Sequence, residues 1–329
     1  MKNRQKENNK EAFPGRRLID CLIHQGEFIP MMNLEKVNKE WFRSTNKYLM
    51  DKVRQAQVFE ISNISDYYYS YNDQEEWHLY EDFPSVKAPF DCVWFEFKGP
   101  SVVLSREFGT QHQSGPFPTF GVLIFSQDLP ENKTFKDATS QTCFMFIRPG
   151  GSDIVFGPVC TAAYLVDDTG KPTPYNKSAN NVVFATLLDT LGRPLQKVED
   201  LQSMFALAHP ALLAMTFLNC RNTQVIKRSP DEKLSRLDVK KGRKPLVYFH
   251  TLEIEQVKQI IACNKGEEGG LKKALHVARG HFKDYREHGL FGRTKGLFWW
   301  GPSIRGTESA GVVTKDYSIG KMTPAKISQ

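Results

Sequence analysis

The side chains best suited to chemistry gather near the C-terminus. Three of the eight histidines, His276, His281 and His288, fall between positions 276 and 288, among Arg279, Lys283, Tyr285, Arg293, Lys295 and Arg305. Metal-independent phosphodiester cleavage needs a general base, a general acid and cations for the charge that develops on phosphorus. His281 is the residue type that exchanges a proton near neutral pH. Arg279 and Arg305 suit bidentate contact with phosphate, and Tyr285 or His276 can be the second proton donor or acceptor. The same residues describe a phosphate-binding surface that does no chemistry. Aromatic side chains are interleaved with the cations: Phe282, Tyr285, Phe291, Phe298, Trp299 and Trp300. Cations attract phosphates and aromatic faces stack on unpaired bases, so Arg279, Lys283, Arg293, Lys295, Arg305 and Trp299 are the expected nucleic-acid contacts.

A purely structural role competes with both readings. His276 can donate to a backbone carbonyl, Arg279 can pair with Asp284 or Glu287, and the glycines can serve turns alone. A metal is the weakest option. His281, Asp284 or Tyr285, and His288 have helical spacing, but Gly280 and Gly289 bracket the run and the aromatic neighbours favour a strand. No metal or cofactor is implied.

Charge supports the C-terminal focus. The chain of 329 residues has a net charge of +7, yet residues 221–329 hold 22 Lys and Arg against 11 Asp and Glu. The first 220 residues are therefore slightly acidic, and the whole basic excess lies in the last third. Within 271–306 the cations also include Lys272, Lys273 and Arg286, opposed only by Asp284 and Glu287.

To present these groups together, residues 275–285 must form a strand paired through a Gly-containing turn with Leu297–Trp300. Alternation on a regular strand places Arg279, His281, Lys283 and Tyr285 on one face, near Arg305, with His276 on the other. Trp299 and Trp300, adjacent on a strand, face opposite sides, so only one can stack on a ligand.

The arrangement Arg279-Gly280-His281-Phe282, Tyr285, Leu290-Phe291-Gly292, Gly296-Leu297-Phe298-Trp299-Trp300 and Arg305-Gly306 resembles the C-terminal signature of a family of hypothetical proteins of phages, prophages and plasmids. Phe217–Asn222 and the Pro245–Ile254 segment resemble it too. The resemblance covers roughly the last third of the chain. It implies a mobile-element origin and supplies no mechanism.

The remaining signals bound the alternatives. A Walker loop, a dinucleotide fingerprint, a GxSxG elbow, an HExxH motif and a zinc-finger pattern are all absent. Asp167-Asp168-Thr169-Gly170 reads as a β-turn. Cys21, Cys92, Cys143, Cys160, Cys220 and Cys263 include no CxxC pair and read as buried thiols. The charged N-terminus has no apolar signal segment, and no apolar run is long enough for a bilayer, so a cytoplasmic protein without membrane contact is expected.

The expected fold is α+β: a mainly antiparallel sheet, central helices and a basic β-rich C-terminal module. Residues 1–17 are read as a mobile tail, 18–306 as one domain with sub-modules 18–220 and 221–306, and 307–329 as a second tail. Periodicity predicts a helix over 34–59, a loop or edge strand over 62–82, and strands at 90–97, 101–105, 120–125, 142–147, 153–156 and 160–166. Core helices follow at 181–191 and 197–217, with Pro210 starting or kinking one of them. A short strand is expected at 219–227, a basic loop at 228–244, strand at 246–254 and a linker at 260–270. Nucleic-acid binding, as RNA or DNA, is the leading function. RNase-like turnover at the same surface and inhibition of an acidic host protein are the alternatives. The oligomeric state is left open.

Overall fold

The computed structural model describes residues 15–29, 39–72, 82–99, 118–127, 139–173, 183–184, 207–254, 274–278, 280–301, 303–305 and 307–313. Its centre is a mixed sheet of nine strands: β1 (Gln57–Glu60), β2 (Cys92–Lys98), β3 (Thr119–Gln127), β4 (Thr139–Arg148), β5 (Phe156–Val166), β6 (Pro172–Thr173), β7 (Val183–Phe184), β8 (Thr223–Arg228) and β9 (Phe249–Ile254). The order is β6-β5-β4-β3-β2-β1-β9-β8, with β7 also on β5. β2 to β5 form an antiparallel meander. β1 runs parallel to both β2 and β9. The fold class is α+β, as the alternation of turns and apolar runs predicts.

Both faces of the sheet are covered. Helices α1 (Leu18–Gln25) and α2 (Lys39–Gln55) cover one side; α3 (Ser62–Asn72) and α4 (His209–Leu218) cover the other. Along β2, Cys92 and Trp94 join the first layer, and Val93, Phe95 and Phe97 the second. A strand buried on two faces loses its polar alternation, which explains the nearly continuous apolar run there. Glu96 interrupts that run for a local reason. Its carboxylate accepts from the backbone N–H groups of Leu18 (2.6 Å) and Ile19 (3.1 Å), and so caps the N-terminus of α1. Burial pushes its pKa up, against the pull of Arg17 and the two N–H donors.

Several elements differ from the sequence expectation. The helix read over 34–59 is described from Lys39 and stops at Gln55, because Gln57–Glu60 pairs with β2 and β9. The Tyr-rich segment is helix α3, not a loop or strand: Ile64, Tyr67 and Tyr68 repeat at helical spacing and bury against α4. The two strands read at 153–156 and 160–166 are replaced by continuous β5. The basic loop contains helix α5 (Glu232–Lys240), started by Asp231, whose carboxylate accepts from Lys233 N (2.9 Å) and Leu234 N (3.1 Å). Pro210 starts α4 as expected. The strand at 101–105, the linker at 260–270 and the start of the 197–217 helix lie outside the described residues; of the helix read at 181–191 the described part, Val183–Phe184, is strand β7, because it pairs with β5.

Residues 15–17 and 307–313, read as tail, belong to the fold. Arg16 pairs with Asp238 of α5, and Arg17, 2% exposed, pairs with Asp20 and donates to the Val247 carbonyl. Residues 307–313 form β14 (Thr307–Val313), paired with β10 (Ala274–Ala278). Asp167–Gly170 is the expected turn, closed by Gly170 N–H to Asp167 O (3.0 Å) with Gly170 at φ +83°. Cys21, Cys92, Cys143 and Cys220 are buried free thiols. No helix among the described residues is long and apolar enough to cross a membrane.

Candidate nucleic-acid interface

The expected C-terminal strand is divided in two. β11 (His281–Asp284) pairs antiparallel with β12 (Leu297–Trp300), while β10 pairs with β13 (Ser303–Arg305) in another sheet. The regular strand over 275–285 is therefore corrected to two short strands on either side of Gly280. The Trp299 ring lies where a Cβ at position 280 would sit, so a glycine is needed there. Across β11 and β12, Phe282 faces Trp299 and their rings approach to 4.6 Å. Phe217 (5.0 Å) and Tyr67 (5.8 Å) complete an aromatic cluster around the indole. Asn222 fixes the same residue from the other side, accepting from Trp299 N (3.0 Å) and donating to Trp299 O (2.9 Å).

Trp299 is 1% exposed. Its assignment as a stacking contact is therefore corrected: it is the anchor that roots the hairpin in the α3–α4 core. Trp300, half-buried, faces the opposite side.

That outer face gathers part of the expected site. His281 pairs with Trp300 and Lys283 with Phe298, so both side chains share their partners' face. The Lys283 ammonium lies 4.4 Å from the centre of the Trp300 ring. Tyr285 packs edge-on against Phe298 at 5.9 Å. Arg221 lies over Gly296, on the flank of β12 away from β11. His276 is the register partner of Arg305 in the β10–β13 ladder, apart from the strand that carries His281. Arg279 lies outside the described residues, so its place beside either group is not fixed.

Beyond the ladder the chain closes on itself. Tyr285 N–H reaches Gly296 O (2.9 Å), and Leu290 N–H reaches Thr294 O (2.7 Å). Inside that bracket Arg293 N–H bonds Leu290 O at 3.1 Å, with Phe291 at φ +53° and Gly292 at φ +70°. Positive φ at both central residues marks a type I′ turn, a geometry that favours Asn-Gly or Gly-Gly. Phe291 is the only non-glycine residue with positive φ among the described residues, and its ring is 79% exposed. A Cβ in the left-handed region costs about 1–2 kcal/mol. Arg293 and Lys295, both exposed, follow Phe291 two and four residues on.

Phe291 is thus the stacking candidate to which alternation could not point. The signal for it was Gly289-Leu290-Phe291-Gly292, a turn sequence with an aromatic where a small residue is usual.

Electrostatics separate the cations. Arg286 is consumed locally: it pairs with Asp284 (2.5 Å) and donates to Thr169 O (2.6 Å), tying the hairpin to the β5–β6 turn. That pairing holds the Asp284 carboxyl below its ordinary pKa. His288 and Glu287 approach to 3.6 Å while almost fully exposed. Lys283, Arg293 and Lys295 meet no carboxylate among the described residues, and Arg293 and Lys295 are exposed. No group of three or more His, Cys, Asp or Glu side chains among the described residues is placed to hold a metal ion. The arrangement offers one protruding ring, several cations and an exposed imidazole on a strand face: equipment for holding a polyanion.

Against protein-family models, curated proteins and solved structures, the chain finds no match.

Proposed function

We propose that the protein binds nucleic acid through the outer face and tip of the β11–β12 hairpin. The observation that carries this reading is Phe291, held at positive φ, exposed, and followed within four residues by the exposed cations Arg293 and Lys295. Strained backbone that keeps a large apolar ring in water is the kind of outlier found where a ligand is met. A ring flanked by cations is the elementary unit of single-strand binding: the ring stacks on a base and the cations meet the adjoining phosphates. Lys283, Arg221 and His281 extend the same surface along the ladder. The resemblance of the C-terminal segment to proteins of mobile elements fits this role, in the cytoplasm of a host cell.

The test is fluorescence anisotropy with labelled single-stranded RNA and DNA over a range of salt. Affinity should fall steeply as salt rises, and removing Arg293 or Lys295 should each lower the slope by about 0.7 for a single strand. Phe291→Ala should weaken binding about 5- to 100-fold at unchanged slope, since the ring contributes stacking and no charge. Indifference of affinity to both salt and Phe291 would sink the reading. Turnover of the labelled strand, lost in His281→Ala with binding retained, would make the same surface an active site. Copurification of one acidic host protein without nucleic acid would turn it into an inhibitor's face.

A further inference from the structure

A second group of rings around a cation lies at the far end of β8. This strand leaves the hairpin beside Asn222, which holds Trp299, and is the last strand of the sheet order. At its other end Lys227 pairs with His250 of β9, and its ammonium lies 4.9 Å from the centre of the Tyr248 ring. The His250 ring packs 5.3 Å from Phe59, and Phe90 packs 6.0 Å from Phe59 on another flank. Phe59 is fully buried and forms the floor. His250 Nδ1 is 3.1 Å from the Val58 carbonyl oxygen, which fixes the imidazole in place. The rim is open: Tyr248 is 56% exposed and Phe90 40%. Val225, on the same strand face as Lys227, is 47% exposed.

Exposed rings beside a cation repeat the chemistry of the hairpin tip, with an imidazole added. Flat π faces accept any base, and Lys227, which meets no carboxylate among the described residues, is free to meet a phosphate. The acidic neighbour is Asp91, exposed beside Phe90. We propose that this patch is a second stacking site, and that single-stranded nucleic acid runs from the hairpin tip along β8 to Tyr248. The inference rests on the nucleic-acid reading of the hairpin and adds the strandedness and path of the ligand. The six residues of β8 span about 20 Å, room for several nucleotides within the range of about 4–16 covered by single-strand binding folds.

The experiment titrates the full-length protein with labelled oligothymidylates of about 4 and about 12 nucleotides. A two-ended path predicts that the longer strand binds at least about tenfold more tightly, because its second contact is intramolecular. Tyr248→Ala should erase that advantage, weakening the longer strand about 5- to 100-fold while the shorter changes by less than about twofold. Tyr248→Phe should restore it, and unchanged thermal melting would show that the exposed site left the fold intact. Equal affinity for both lengths, or a Tyr248→Ala variant that keeps the long-strand advantage, overturns the second site. If Phe291→Ala still weakens binding in that case, the hairpin reading stands alone. If neither strand binds the wild type, both readings fall. Polyglutamate of matched length binding as tightly as oligothymidylate would overturn stacking and assign the patch to acidic protein.

Discussion

Arg16 and Asp238, 222 positions apart, are joined by two side-chain hydrogen bonds, with Arg16 Nε 2.9 Å from Asp238 Oδ2. Asp238 is the only fully buried side chain of α5, at 0% exposure, and Arg243 reaches it as a second cation at 3.3 Å. The short basic helix is therefore held to the body of the protein through its carboxylate more than through its leucines. Leu237 is 50% and Val239 53% exposed.

Removing Arg16 leaves Asp238 only its longer contact with Arg243. Arg16→Met should destabilise the protein by on the order of 2 kcal/mol at pH 7, measured by urea unfolding. Hydrogen bonding to Arg16 holds the Asp238 carboxyl below its ordinary pKa. A depressed carboxylate stabilises the fold above its unfolded pKa, and that contribution is lost as pH falls through the folded value. The gap between variant and wild type should accordingly narrow in acid. A gap that stays constant from neutral pH to pH 3 would mean the pair contributes nothing through charge. Deletion of residues 1–17 should cost more than the substitution, since it also removes buried Arg17, whereas deletion of 1–14 spares the pair.

Phe291 sets stability against binding. Asn tolerates the left-handed region better than Phe and is the favoured residue at the first central position of a type I′ turn. Phe291→Asn should raise stability by about 1 kcal/mol while lowering nucleic-acid affinity about 5- to 100-fold. Thermal melts and anisotropy on one preparation give both numbers. Loss of stability in the variant would show that the ring is held by packing and not by ligand selection.

How far the sequence could be read follows from which residues repeat a local rule. The meander from β2 to β5 was legible because turn residues divide strongly apolar runs. The position of Pro210 at the start of α4 was legible because proline lacks the N–H that a helix interior needs. The Tyr67-Tyr68-Tyr69 run misled because aromatic residues favour strands in isolation, and only burial of Ile64, Tyr67 and Tyr68 against α4 selects the helix. Arg16 and Arg17 looked like tail because their partners Asp238 and Val247 lie far away in the chain. In the hairpin, cation and aromatic content located the surface, and alternation placed His281 and Lys283 on one face. Which tryptophan turns inward depended on Phe217 and Tyr67 across the core, contacts that no local spacing encodes.

The two tryptophans should respond differently to truncation. Trp299→Ala opens a cavity among Phe217, Tyr67 and Phe282, and should cost about 3–5 kcal/mol. Trp300→Ala should cost far less in stability, because its ring is half-buried and covered on one side by Lys283. Its effect should appear as weaker ligand binding. Denaturant unfolding separates the two, and equal losses would contradict the inward and outward assignment. Gly280→Ala should behave like a mild Trp299 variant, since the added methyl meets the same ring.

His209 provides an acid-sensitive joint at the start of α4, where it meets α3. Part of the residue reaches the surface, but its ring lies beside Tyr68 and Phe83, and Nδ1 is 2.9 Å from the Tyr68 hydroxyl. Burial pushes its pKa down from 6.5 to about 4. The unfolded chain then takes up a proton near pH 6.5, while the folded protein resists until about pH 4. Stability from this residue is complete above the unfolded value and declines as pH falls between the two. From pH 6.5 to pH 5 the loss should reach roughly 2 kcal/mol. His209→Gln has no ring to titrate and should lose correspondingly less over that interval, even if its stability at pH 7.5 is lower. Urea midpoints of both proteins at several pH values between 7.5 and 4.5 make the comparison. Parallel pH profiles would show that the imidazole is hydrated or protonated in the folded protein, and that acid acts elsewhere.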